Sequence, residues 1–183
     1  MQPRLQRIAA QLDRLAELTG RAVSWLTLGM VLLTITVVIL RYLFDTGSIA
    51  LQESITYLHA VVFMLGAAYT LKHDGHVRVD IFYQQRSPRT RAWIDLLGTL
   101  LLLAPVCVFI FISSLDYVSA AWAIREGSRE AGGLDGVFLL KTVIPLMAVL
   151  LLLQGLSMSL RSVLVLTGNA PLATPDQRLD REI

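Results

Sequence analysis

Four stretches of this chain carry no formal charge, and each is as long as a membrane-crossing helix: residues 22–40 (19 residues), 54–71 (18), 96–115 (20) and 142–160 (19). With a rise of 1.5 Å per residue, about 20 apolar residues cross a hydrocarbon layer of roughly 30 Å. The sequence therefore predicts an all-α integral membrane protein with four transmembrane helices. Its transmembrane domain covers residues 22–165, with crossings at about 22–41, 53–72, 93–123 and 137–161. The flanking segments, 1–21 and 166–183, are too short for a globular domain of ordinary size.

Charge excludes some functions and orients the chain. Lys and Arg number 16 against 14 Asp and Glu, a balance that gives no reason to expect nucleic-acid binding. Arg41, Arg125, Arg129 and Lys141 are the 4 basic residues on one side of the predicted crossings, and the other 12 lie on the side of the termini. By the positive-inside rule both termini are expected to be cytoplasmic. Cys107, the only cysteine, lies within the third stretch, so neither an internal disulfide nor paired-cysteine redox chemistry is available.

The first stretch is not expected to be a cleaved signal. Asp13 and Glu17 precede it, and it runs into Arg41-Tyr42-Leu43-Phe44 rather than small residues. Ahead of it, Leu5, Ile8, Leu12 and Leu15 recur at spacings of three and four, with Arg4, Arg7, Gln11, Arg14 and Glu17 turned elsewhere. That pattern predicts an amphipathic interfacial helix, lying in the cytoplasmic headgroup layer or bracing a partner subunit.

Punctuation places the loops. Gly47 and Ser48 mark a short connection that makes the first two helices antiparallel neighbours, Ser87-Pro88 a break before the third, and Gly132-Gly133 the turn before the fourth. A short amphipathic piece is expected over 77–84, and the third helix is expected to run on past Asp116. Pro105 and Pro145 each remove a backbone donor and predict kinks. The polar stretch from Gly168, with Pro171 and Pro175, reads as a loose cytoplasmic tail.

Residues that carry chemistry are sparse. His73-Asp74-Gly75-His76, followed by Asp80, offers one His-x-x-His pair, short of the three or four converging ligands a metal needs, and Gly75 suits the tightest point of a polar turn. His59 has no histidine in another stretch to complete a two-histidine haem site. None of the four charge-free stretches holds a buried Asp, Glu, Lys or Arg, whereas ion-coupled carriers place such groups or broken helices near midplane. GxSxG, phosphate-loop and HExxH signatures are missing. The sequence predicts no catalytic, cofactor or metal residues and one piece of a larger membrane complex. The alternative is a small four-helix redox or metal-binding subunit using His59 or His73 and His76.

The order of features resembles the small membrane (DctQ-like) subunit of tripartite ATP-independent periplasmic (TRAP) transporters. Carrying the resemblance are Arg41-Tyr42, Gln52-Glu53, Leu65-Gly66-Ala67-Ala68 and the run Lys72 to Asp80, reading KHDGHVRVD. Gly127 to Gly133 and Lys141-Thr142-Val143-Ile144-Pro145 are similar to the family's third loop and fourth-helix start. Many members have two acids opening the second helix; here Gln52 stands beside Glu53. The resemblance implies a multi-pass protein of the bacterial inner membrane, with a large membrane subunit and a periplasmic substrate-binding protein as partners. It further implies import driven by an ion gradient, typically sodium, of substrates that are usually organic acids. The small subunit would then enlarge the fixed scaffold of an elevator-type large subunit.

Membrane lipids cannot be told from a partner by hydrophobicity, so a lipid-depth contact needs close packing and a few polar groups. Arg41, Glu53, Tyr57, Gly66, Ala67 and Lys141 are the subunit-interface candidates on that ground.

Overall fold

The computed structural model describes residues 2–76, 83 and 85–168, so all but Tyr83 of the predicted piece at 77–84, and most of the tail, lie outside the described residues. Among the described residues there are four long helices: α1 (Gln2–Leu43), α2 (Ile49–Lys72), α3 (Pro88–Ala123) and α4 (Val137–Leu166). All four are long and apolar enough to cross a membrane, and there is no strand among the described residues.

α1 corrects one expectation. Its 42 residues form one uninterrupted helix, so no separate N-terminal amphipathic helix is seen. No Pro or Gly pair interrupts residues 4–21, and the helix simply continues into its apolar half. The buried face also differs from the leucine stripe. Ala9, Asp13, Ala16, Gly20 and Val23 turn inward, while Ile8 and Leu15 are exposed.

Local chemistry sets the helix ends. Ser48 and Ser87 cap α2 and α3, accepting from the N–H groups of Leu51 (3.4 Å) and Thr90 (3.3 Å), and Pro88 sits at the first turn, where no intrahelical donor is needed. α2 stops in a Schellman turn. The Gly75 N–H donates to the Thr70 carbonyl (2.8 Å), the Asp74 N–H to the Leu71 carbonyl (3.3 Å), and Asp74 takes the left-handed conformation with φ 54°. Asp74, rather than Gly75, therefore makes the sharp bend in the His73–His76 run. α3 ends the same way, with Glu126 bonded to Ala121 (2.9 Å), Arg125 to Trp122 (3.2 Å), and Arg125 at φ 47°.

α4 is the centre of the bundle. It packs on each of the other helices, α1 and α2 also pack on one another, and α3 leans mainly on α4. The contact faces are built from small residues, among them Ala9, Ala16, Ala68, Ala92, Ala121, Ala148 and Ser157. In a bilayer, where burying leucine against protein gains little over burying it in lipid, close backbone approach supplies the packing. Ala16, Ala68 and Leu150 meet at the junction of α1, α2 and α4, with Leu65 packed against them.

The two prolines behave differently. Before Pro105, residues Thr99–Leu103 widen into a π turn, in which the Ala104 N–H reaches the Thr99 carbonyl. Proline crowds the carbonyl four residues back and cannot donate to it, and a widened turn relieves both. Gly155 of α4 sits against this turn: a Cβ there would lie 2.9 Å from Leu103 Cδ2 and 3.0 Å from Thr99 Cγ2. α4, in contrast, continues through the buried Pro145 as one helix.

Candidate subunit interface and the polar locks behind it

Charged contacts between helices gather at the two ends of the bundle. At the end holding the start of α1, Asp13 faces α4 and is 9% exposed. Its Oδ1 accepts from Ser157 Oγ (2.5 Å) and Gln154 Nε2 (3.2 Å), and its Oδ2 pairs with the Arg161 guanidinium. Ser157 also lies 3.1 Å from the Ala9 carbonyl, so its single proton has two buried acceptors.

One turn along α1, Glu17 ties the helix to the end of α2. It accepts from Lys72 Nζ (2.5 Å) and Arg21 Nε (2.6 Å), and its Oε2 is 2.9 Å from His73 Nε2. Glu17 precedes the charge-free stretch and lies outside the crossing. Burial pushes its carboxyl up, but the bonds from Lys72, His73 and Arg21 outweigh this and hold it at about 2. This contribution to stability is present above the ordinary value of 4.5 and is lost only as pH falls through about 2. The Tyr69 ring packs on His73, with centroids 4.3 Å apart, and covers Gly20.

At the opposite end, Glu53 holds the loop between α3 and α4. It accepts from the Leu134 N–H (2.6 Å) and from the Ser128 hydroxyl, and the Ser128 N–H bonds the Leu134 carbonyl (2.9 Å). Two glycines make room for this fold-down. A Cβ on Gly133 would sit 2.3 Å from Ser128 Oγ and 2.8 Å from Glu53 Oε2, and one on Gly127 would sit 2.7 Å from Asp135 Oδ1. Beside it Lys141 pairs with Glu126 and stands 3.9 Å from the Tyr117 ring centroid. Trp122 donates from Nε1 to Thr142 Oγ1 (2.9 Å) and meets the Phe138 ring edge-on, so it joins α3 to α4.

The structure places the interface candidates in different surroundings. Glu53 and Lys141 form their bonds inside the chain, and Tyr57 lies against Gly136, its hydroxyl buried. Gly66 is turned toward Val23 of α1, where a Cβ would make an ordinary contact at 3.9 Å, and Ala67 is half-buried. Arg41 is exposed. His73 is engaged by Glu17, His76 is exposed, and among the described residues no three His, Cys, Asp or Glu gather in a metal-binding group. Asp80 lies outside the described residues.

Residues 30–165 match the family model of the tripartite ATP-independent periplasmic transporters, DctQ component, and that match covers well over half of the chain. The chain belongs to this family. No curated protein and no solved structure matches it. As a DctQ component it is a multi-pass membrane subunit of a TRAP transporter.

For this DctQ-family chain, Asp13, Gly20, Gln154, Gly155 and Ser157 are structural residues that hydropathy and motif reading passed over. One signal was present: Gln154, Ser157, Ser159 and Ser162 follow one another at short helical spacings in α4, and all four are buried.

Glu53 offers a direct test of the loop lock. Glu53→Ala leaves the Leu134 N–H and the Ser128 hydroxyl without their acceptor. Limited proteolysis at Arg125 and Arg129 in detergent is expected to accelerate several-fold while the helices stay folded. Unchanged cleavage would show that the loop holds its place without Glu53.

Proposed function

We propose that this chain is the small, non-catalytic membrane subunit of an importer of organic acids driven by a sodium-ion gradient, as the family resemblance implies, and that it scaffolds an elevator-type large subunit. In this reading it sits in the bacterial inner membrane with both termini cytoplasmic, and a periplasmic substrate-binding protein completes the system. The observation that carries it is the placement of charge: inter-helix ion pairs lie at the two ends of the bundle, and the central stretches 22–40, 54–71, 96–115 and 142–160 contain no acidic side chain, lysine or arginine. A helix set braced at both ends, with no carboxylate, lysine or arginine between them, suits a rigid support rather than a carrier that binds ions at midplane.

Two measurements test the reading. Copurification should recover a large hydrophobic partner, and uptake should need all three components; uptake by this chain alone, or a stoichiometric haem or metal in the purified chain, would overturn it. Orientation is tested separately by cysteine labelling in a Cys107→Ala background. Ser128→Cys should react from the periplasm and Thr174→Cys from the cytoplasm, following the 12 to 4 distribution of basic residues. The reverse pattern would invert the topology.

A further inference from the structure

The outward faces of the helices differ in chemistry. Along α1 the exposed side includes Trp25, Leu28, Leu32, Ile35 and Ile39, and along α3 it includes Leu101, Leu102, Phe109 and Ile112. Several exposed hydroxyls on those helices return to their own backbone: Ser24 to Arg21, Thr34 to Met30, Thr36 to Leu32 and Ser113 to Ile110. Such groups sit in lipid without an unmet donor.

α2 departs from this pattern. Gln52, Thr56, His59 and Phe63 are exposed along one face at spacings of four, three and four, and between Gln52 and Lys72 every other described residue is at least half-buried. His59 stacks on Phe63, with centroids 6.3 Å apart and planes 18° apart, and Phe63 is 71% exposed. α2 spans Ile49–Lys72, so His59 lies about 2 Å along the axis from its midpoint. The His59 imidazole carries both donor and acceptor atoms, and a helix has no free backbone groups at mid-length to satisfy them. Facing hydrocarbon they would be left unmet, which is costly; facing a polar helix they would hold it in register.

We propose that this stripe of α2 is the docking surface for a transmembrane helix of the large subunit, one that presents hydrogen-bonding side chains or freed carbonyls opposite Thr56 and His59 and a small residue opposite Phe63. The inference rests on the small-subunit reading above. It moves the contact away from Glu53, Tyr57, Gly66 and Lys141, which face the chain's own helices and loop. Glu53, next to Gln52, fastens the α2 end to the loop over 124–136, so the stripe is presented on an anchored helix.

The test uses the complete transporter in native membranes, with a photo-crosslinking benzoylphenylalanine at position 56 or 63 of α2, and at position 32 of α1 or 102 of α3 as controls. Adducts with the large subunit are expected from 56 and 63 at several-fold higher yield than from the controls. Adducts with a second copy of this chain, adducts with lipid alone, or large-subunit adducts mainly from 32 or 102 would overturn the proposal. Copurification of the unsubstituted chain is measured alongside. If the large subunit copurifies but crosslinks elsewhere, only the α2 surface is wrong; if it does not copurify, the small-subunit reading fails as well. The double substitution Thr56→Val with His59→Leu should lower recovered large subunit by about tenfold, with the thermal midpoint of this chain alone unchanged. Full recovery with the double variant would also overturn the proposal.

Discussion

A single methyl group added at Gly20 is expected to force α1 and α2 apart where the end of α2 crosses the middle of α1. A Cβ there would lie 2.3 Å from Tyr69 Cγ, 2.4 Å from Cδ2 and 2.5 Å from Cβ. These atoms sit close to the α2 backbone, so no rotation of a flexible tip can clear them, and the helices must separate or the ring must leave its place on His73. Either movement strains the neighbouring bonds from Lys72 and His73 to Glu17. Overpacking of this kind costs about 1–3 kcal/mol, and Gly20→Ala belongs at the upper end. Gly29→Ala is the matched control on the same helix: its Cβ would meet only Leu58 Cδ1, at 3.7 Å. There the better helix propensity of alanine, about 1 kcal/mol, has nothing to oppose it. Thermal unfolding in detergent should show a clearly lowered midpoint for Gly20→Ala and an unchanged or raised one for Gly29→Ala. Equal midpoints would mean that Tyr69 can move without cost.

Asp13→Leu should be the most damaging loss of a polar contact. Gln154 and Ser157 are 3% and 0% exposed, so water cannot replace the carboxylate they bond. Ser157 retains the Ala9 carbonyl as an acceptor, and the Arg161 side chain is 55% exposed, so its charge stays largely hydrated. The main penalty falls on the Gln154 amide, which would lose its donor's partner while its Oε1 already has none among the described residues. Together these give a destabilisation of about 2–4 kcal/mol. Asp13→Asn, which keeps an acceptor oxygen, should lose roughly half as much. Adding Gln154→Leu to Asp13→Leu should recover much of the loss, because an apolar pair of similar size leaves nothing unmet. If Asp13→Leu alone melts like the parent, the α1–α4 lock carries no stability.

The four crossings were legible because each is a charge-free run of the right length, a property of consecutive residues that needs no partner to be seen. The turn at Gly47-Ser48 and the break at Ser87-Pro88 were legible on the same ground, while the capping by Ser48 and Ser87 came from the structure. The leader was legible only in part. Its leucine spacing correctly indicated a helix, but the face that packs carries Ala9, Ala16 and Gly20, whose low hydropathy hides how closely they let α2 and α4 approach. Glu53 and Lys141 stood out as charges at a membrane boundary, yet whether such a charge turns to its own loop or to another subunit depends on how residues 124–136 fold down, and that depends on space at Gly127 and Gly133.

The sequence by itself determined that this chain has four helices long and apolar enough to cross a membrane, and which family it resembles, since hydropathy and short motifs are local. Only the tertiary structure decided that α4 is the central helix, that Asp13 and Glu17 lock α1 to its neighbours, and that α2 leaves Gln52, Thr56, His59 and Phe63 facing outward. Those facts are relations between residues as far apart as Asp13 and Arg161. In a bilayer they are fixed by close approach of small side chains and by satisfied polar groups, and a sequence pattern can mark such a face without saying which helix it meets.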